Sequence, residues 1–472
     1  MPATEVADLT AAQLADYYRQ GELSPVETAE AVLDRIHKHN DAVNAYCWLD
    51  EELTMQQARA SEERFRCLQP MGPLDGIPVG IKDMFLTRGQ PNRKGSTLIP
   101  ADDLAKEDAP AVAALKRSGF VQPGRVTTPE FAWKGVTDSA LTGPTNNPWD
   151  ITKTAGGSSG GSAAMIPLGM GPLSLGTDAG GSVRIPAGFC GIVGHKPTHG
   201  LAPMWPPSAF YPLAHVGPMA WTVEDAAMLM DVLVAPDARD TTAPPPQPNT
   251  TYAEALREQT DGVRNLRIAF SPALGYVDIM NDEVAAAVAK AAEVFEDMGA
   301  IVDLKDPGFG DPLDAFNALF YGGAANAMRA IDAEQRKKMD TGLVAAAEWA
   351  AQLDIIDYLA AGNERLALIE RMGRFHQTYD LLITPALPIP AFATNREVPE
   401  GWPHDRWPTW TPFSYPFNLT GQPAMSVPCG FTSEGLPIGL QIVGNRYADA
   451  LVFKAAHAYQ CANPLTDRRP QL

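Results

Sequence analysis

At 472 residues the chain is long enough for one large domain or two to three ordinary ones, and 45% apolar residues give ample material for a core. Its 37 basic and 56 acidic residues leave a net charge of −19, which argues against nucleic-acid or anionic-membrane partners because both want a basic face. Five scattered cysteines without a C-x-x-C pair fit neither a disulfide framework nor a zinc ribbon, so a reducing cytoplasm is the expected compartment.

Residues 10–40 read as two helices. Thr10, with Gln13 three residues on, can cap the first. Ser24-Pro25-Val26-Glu27 is a full start signal for the second: a Ser cap, Pro in the first turn and Glu at the capping-box position. Val26, Ala29, Val32, Leu33 and Ile36 then form one apolar face. Residues 76–82 alternate Ile77, Val79 and Ile81 against Pro78, Gly80 and Lys82, as a strand does, so Lys82 shares with Gly80 a face that has room. Asp108-Ala109-Pro110 opens a helix that Gly119 closes.

A short helix is expected over 159–166, a strand over Leu173 to Gly176, and a helix from Thr222 and Asp225 to about Leu233. Ala235 to Asn249, rich in Pro and polar residues, reads as a surface loop between a core at 70–234 and a C-terminal part at 250–472. Beyond it come a strand at Leu266 to Phe270, a helix over 282–298 with Val284, Val288, Ala291, Phe295 and Met298 inward, and a strand at Ile301 to Leu304. Later strands are expected at Leu381 to Thr384, Ala424 to Pro428 and Ile438 to Val443. This alternation predicts an α/β fold. Residues 391–412, with Trp402, Trp407 and Trp410, read as an ordered loop over a cleft. The longest apolar stretches are broken by Pro, Gly or acids, so no bilayer span is expected.

Chemistry concentrates in two Gly/Ser segments. Ser182 ends a Gly-Gly pair, where the amides of Ala179, Gly180, Gly181 and Ser182 can form a nest for an oxyanion. The plainer reading is a strand-to-helix turn with serine as its cap. Gly157 to Gly161 matches G-x-S-x-G with Ser159 central, which would suit an α/β-hydrolase-type esterase. That elbow needs a strong preceding strand, and Thr152 to Ala155 is a poor one. No Gly-Lys-Ser/Thr follows, so this is not a nucleotide loop. Lys82 follows a buried-looking run, and burial disfavours the ammonium, making a neutral amine available near pH 7 to 8. His195 and His199 are four apart, but Pro197 between them spoils a helical metal face. A triad through His215, His376 or His457 is open on spacing alone, and neither metal nor cofactor is expected.

Taken together these segments resemble the amidase signature family. The likeness rests on Gly76 to Asp83, Gly156 to Ala163, Gly176 to Pro186 with Phe189 to Gly191 and Lys196 to Thr198, then Asn418 to Ala424 and Gly435 to Gln441. It spans almost the whole chain and implies a single α/β/α domain over 1–472, around a mixed, largely parallel-type central sheet. Residue by residue it implies a triad of Lys82, Ser158 and Ser182, the serine spacing choosing Ser158 over Ser159, with a cis Gly157–Ser158 peptide. Thr177, Asp178 and Arg184 would hold the loop. The implied activity is hydrolysis of a C–N acyl bond (amide, anilide or carbamate) in a small molecule without cofactor. The alternative within the family is an amidotransferase A-type subunit that makes ammonia with partner subunits. Ala155 stands where many members have proline, and His195 where many have leucine; neither touches the triad. Ala132, Trp133, Phe210 and Tyr211 point to an apolar or aromatic substrate group, as do Phe413 and Tyr415. A homodimer is left open.

Overall fold

Capping chemistry starts the N-terminal helices where the sequence places them. In the computed structural model, which describes residues 3–243, 251–257 and 262–472, reciprocal Thr10–Gln13 hydrogen bonds open the helix Ala11–Gln20. The Ser24–Glu27 pair opens Pro25–Val43 in the same way. Ala29, Val32, Leu33 and Ile36 are buried and Val26 half-buried. The helix Pro110–Arg117 has no side-chain cap, because Asp108 instead accepts from Arg88 N and from Lys116 Nζ.

Eleven strands form one sheet: β1 (Tyr46–Leu49), β2 (Val79–Lys82), β3 (Gly124–Val126), β4 (Leu173–Asp178), β5 (Val193–Lys196), β6 (His215–Ala220), β7 (Arg267–Phe270), β8 (Ile301–Leu304), β9 (Leu381–Pro385), β10 (Ala424–Phe431) and β11 (Pro437–Gly444). Their order is β1-β3-β2-β4-β6-β5-β10-β11-β9-β7-β8. Strands from both sides of the 235–249 segment therefore share one sheet; residues 244–249 of that expected loop lie outside the described residues.

The sheet is mixed, but its parallel neighbours sit toward the two ends, at β3-β2-β4 and β9-β7-β8. From β4 through β6, β5, β10 and β11 to β9 every pairing is antiparallel. This corrects the expectation of a largely parallel sheet: alternation of strands and helices along the chain does not determine which strands become neighbours.

Period-two alternation sends strand residues to two apolar layers. Val79, Ile81, Leu173, Leu175, Ile268, Leu381 and Ile383 join one core with the helices Val223–Leu233, Asp282–Asp297 and Asp449–Ala462. Ala269 and Leu382, one residue out of phase, join the other layer with Leu313–Ala327 and Thr341–Ala350. Among the described residues no helix is long and apolar enough to cross a membrane.

Candidate active site

Parallel pairing brings the ends of β2 and β4 together. Ile81 is in register with Leu175, so Lys82 emerges beside Thr177. The expected room next to Gly80 is occupied: a side-chain carbon at that glycine would collide with the sulfur of Met165. Lys82 is completely buried. Its Nζ lies 2.8 Å from Ser158 Oγ, 2.9 Å from Ser159 Oγ and 2.9 Å from Thr177 Oγ1. Burial drives the ammonium well below the usual lysine range, and the opposing pull of the Asp178 carboxylate does not restore it.

Ser158 follows a cis peptide from Gly157. Glycine is required at 157 because a Cβ there would lie 2.5 Å from the carbonyl carbon and oxygen of Val136. Ser159 is fully buried and is not a cavity residue. Its hydroxyl donates to Thr177 O at 3.3 Å, so toward Lys82 it must accept. The residues preceding it, Asp150–Thr154, pair with Asn146–Asn147 in a two-stranded ribbon and bridge to Ala393 through Lys153, outside the main sheet. No hydrolase elbow is built around Ser159.

Ser182 sits just ahead of the helix Arg184–Cys190. Its carbonyl accepts from Ser159 N at 3.2 Å, joining the two Gly/Ser loops. Its hydroxyl makes no hydrogen bond among the described residues, and it lines a cavity with Ser158, Thr177 and Ala179. The Gly181 amide donates to Asp178 Oδ1 at 2.7 Å, which removes it from the expected set of oxyanion donors. The amides of Ala179, Gly180 and Ser182 have no acceptor among the described residues.

Asp178 organises this turn from inside. It accepts from the Val183 amide at 3.2 Å, from Arg184 Nε and Nη2 at 3.0 Å each, and from Asn418 Nδ2 at 2.8 Å. Burial alone would raise its pKa; Arg184, Asn418 and the Lys196 charge outweigh that and hold it below the usual carboxylate range. Arg184 also reaches Ser414 O, Gln441 Oε1 and Asn418 Oδ1 at 3.0, 2.8 and 2.6 Å. Behind them His215 Nδ1 donates to Asp178 O at 3.1 Å, leaving Nε2 to accept from Lys196 Nζ at 3.3 Å.

Sequence reasoning does not assign Ser414, Asn418, Gln441, Lys196 or His215 to the site. Asn418, Gln441 and Lys196 do lie in the segments that carry the family resemblance, and that is the one signal that points to them. Among the described residues no imidazole hydrogen-bonds to Ser158, Ser159 or Ser182, and no group of three His, Cys, Asp or Glu side chains is placed to hold a metal ion.

The cavity has a volume of about 330 Å³. Apart from the serines and Thr177 its lining is largely apolar, with Phe85, Phe131, Met204, Trp205, Met328 and Leu343. Ala132 and Phe210 belong to it as expected, but Trp133 and Tyr211 do not. Trp133 is fully buried, its ring packed so closely on Gly342 that a Cβ there would come within 2.7 Å. Tyr211 is 55% exposed and leans on His199 with ring centroids 5.9 Å apart. Phe413 and Tyr415 are core residues. Trp407 and Trp410 are buried too, Trp410 stacking on Phe189 at 5.8 Å and Trp407 packing against Gly180, and neither lines the cavity, so they do not cover a cleft.

The sequence pattern of the Amidase family matches residues 27–453. The chain is 35% identical to an acylamidase of Rhodococcus erythropolis over 98% of its length and 97% of the relative's. It is also 35% identical to the A-type subunit of the glutamyl-tRNA(Gln) amidotransferase of Chloroflexus aggregans, over 99% of both chains. A bacterial aryl acylamidase of the amidase signature enzymes superimposes with a TM-score of 0.90, at 28% identity and 97% coverage of both chains. Sequence, fold and the serine–lysine cluster agree: the chain belongs to the amidase signature family and is a hydrolase of C–N acyl bonds.

Proposed function

We propose that this chain hydrolyses aryl amides and related anilides with Ser182 as nucleophile, Ser158 as proton relay and Lys82 as base. The observation that carries this reading is Lys82 Nζ at 2.8 Å from Ser158 Oγ, on the wall that Ser158 shares with Ser182.

A neutral amine has two N–H donors and one lone pair. Ser159 sends its proton to Thr177 O and so takes one of those donors. The lone pair is left for Ser158 or Thr177, and Ser158 is the hydroxyl that can pass on a proton received from Ser182. In this reading the Ser182 oxygen attacks the acyl carbon while its proton moves to Ser158 and that of Ser158 moves to Lys82. The amides of Ala179, Gly180 and Ser182 receive the developing oxyanion; each such donor is typically worth roughly 3 kcal/mol. The tetrahedral intermediate expels the amine, which takes a proton back through Ser158. Water, activated by the same relay, then releases the acid and restores Ser182.

The apolar wall supports an aryl or alkyl group beside the scissile bond, and the names of the acylamidase and aryl acylamidase relatives support the same class. An aryl carbamate would follow the same steps through an alkoxycarbonyl-enzyme. The amidotransferase reading is less favoured, because among the described residues no carboxylate lines the cavity to meet the ammonium group of glutamine. A panel of acetamide, 4-nitroacetanilide, an aryl carbamate and glutamine, with Ser182→Ala as control, tests the proposal. Anilide turnover should exceed that of acetamide and glutamine and vanish in the variant, which should still fold because the Ser182 hydroxyl bonds to nothing among the described residues. Turnover surviving Ser182→Ala would overturn the assignment.

A further inference from the structure

Among the described residues lining the cavity, one is charged: Lys94. It makes no ion pair or side-chain hydrogen bond among them. The nearest carboxylates that act on it are Asp83 and Asp103. Asp83 is engaged by Arg125 Nε at 2.8 Å and by the Arg93 amide at 3.3 Å, and Asp103 is exposed. Burial lowers the Lys94 pKa against the pull of both acids.

The backbone around it is tightly constrained. Lys94 has φ +52°, and Phe131 and Ala132, at φ +51° and +58°, share the left-handed region that residues other than glycine seldom adopt. Phe131 N donates to Lys94 O at 2.8 Å, and Ser96 Oγ to Glu130 Oε1 at 2.6 Å, so the two loops are tied into one wall. A half-buried cation with no direct ion-pair partner is costly. In a chain of net charge −19 it is also a local reversal of the prevailing field.

We infer that Lys94 is the subsite for a carboxylate carried by the substrate away from the scissile bond, so that the preferred amides are monoanionic. This rests on the aryl-amide reading of the same cavity. The absence of an acidic side chain among the described lining residues sets the charge type: an anion gains a partner there, whereas a zwitterion or a cation does not.

Two matched pairs test it. Pentanoic acid 4-nitroanilide against glutaric acid mono-4-nitroanilide places the charge on the acyl side, and acetanilide against N-acetyl-4-aminobenzoate places it on the amine side. Steady-state constants are measured for the wild type, Lys94→Met and Lys94→Arg, with thermal melts to confirm folding. In at least one pair the anionic member should show a KM lower by about tenfold in the wild type, an advantage lost in Lys94→Met and largely kept in Lys94→Arg. If Lys94→Met leaves the anionic-to-neutral ratio unchanged in both pairs, the subsite does not exist. Failure of the wild type to cleave any of the four anilides, anionic or neutral, would instead sink the underlying hydrolase reading, so the two failures are distinguishable.

Discussion

Lys82→Met is the sharpest perturbation the site offers. Methionine fills nearly the same volume in a fully buried position but removes the nitrogen that joins Ser158, Ser159 and Thr177 at 2.8, 2.9 and 2.9 Å. Loss of a positioned general base typically costs 10²- to 10⁴-fold, so kcat on an anilide should fall by at least about 10²-fold with KM within about threefold. The stability balance has two parts. Three hydrogen bonds at about 1 kcal/mol each are lost. Against this, a lysine whose folded pKa is depressed binds fewer protons folded than unfolded, so its contribution to stability falls as pH drops from the unfolded value near ~10.4 toward the folded one. Lys82→Met lacks that term, and its urea midpoint relative to wild type should improve as pH falls from about 9 toward the depressed folded pKa. Wild-type kcat/KM should fall on acidification as the amine takes a proton, and the residual rate of the variant should lack this limb. A variant retaining more than about a tenth of the wild-type rate, or keeping the acid limb at an unchanged midpoint, would refute Lys82 as the base.

The two buried serines separate the relay from its support: on one anilide substrate Ser158→Ala should cost about 10³-fold in kcat, and Ser159→Ala, which removes an acceptor of Lys82 but not the relay, about tenfold. Arg184→Met leaves the buried Asp178 carboxylate without its main counter-charge; urea denaturation at pH 7 should show a loss of about 3–5 kcal/mol. That deficit should shrink on acidification, because an unpaired buried carboxylate has a raised pKa and gains folded-state stability by taking a proton. Gly157→Ala would press a methyl group against the Val136 carbonyl, and thermal melts should report a loss of at least about 1–3 kcal/mol.

The features legible in the sequence are local ones. The Thr10 and Ser24 caps, the alternation into Lys82 and the helix from Thr222 each depend on residues within a turn of one another, and each element appears. The helix Ile355–Phe375 has an equally local signal, the Asp354–Asp357 capping box, although no helix is among the elements expected there. The partners of Arg184 have no local signal, since Ser414, Asn418 and Gln441 lie 230 to 257 residues away. Trp133 departs from expectation for a different reason. Aromatic composition says that a ring is buried, but the left-handed turn at Phe131 and Ala132 decides that Phe131 lines the cavity while Trp133 enters the core. The antiparallel centre of the sheet is likewise a property of neighbours in space, not of order along the chain.

The same topology explains how burial can depress the pKa of one lysine beside an ionised aspartate. β2 and β4 end side by side, so Lys82 and Asp178 arrive in the same region, and a direct ion pair between them would keep the amine protonated and useless as a base. The chain prevents that by giving the carboxylate other partners: the Gly181 and Val183 amides, Asn418 and the fork of Arg184 occupy its oxygens. Lys82 is left with hydroxyl oxygens alone, which can hydrogen-bond an amine but cannot compensate an ammonium charge in a buried site. On the proposed mechanism Arg184 would act on the reaction without facing the cavity, by holding the turn that carries Ser182 and by occupying the carboxylate whose charge raises the Lys82 pKa.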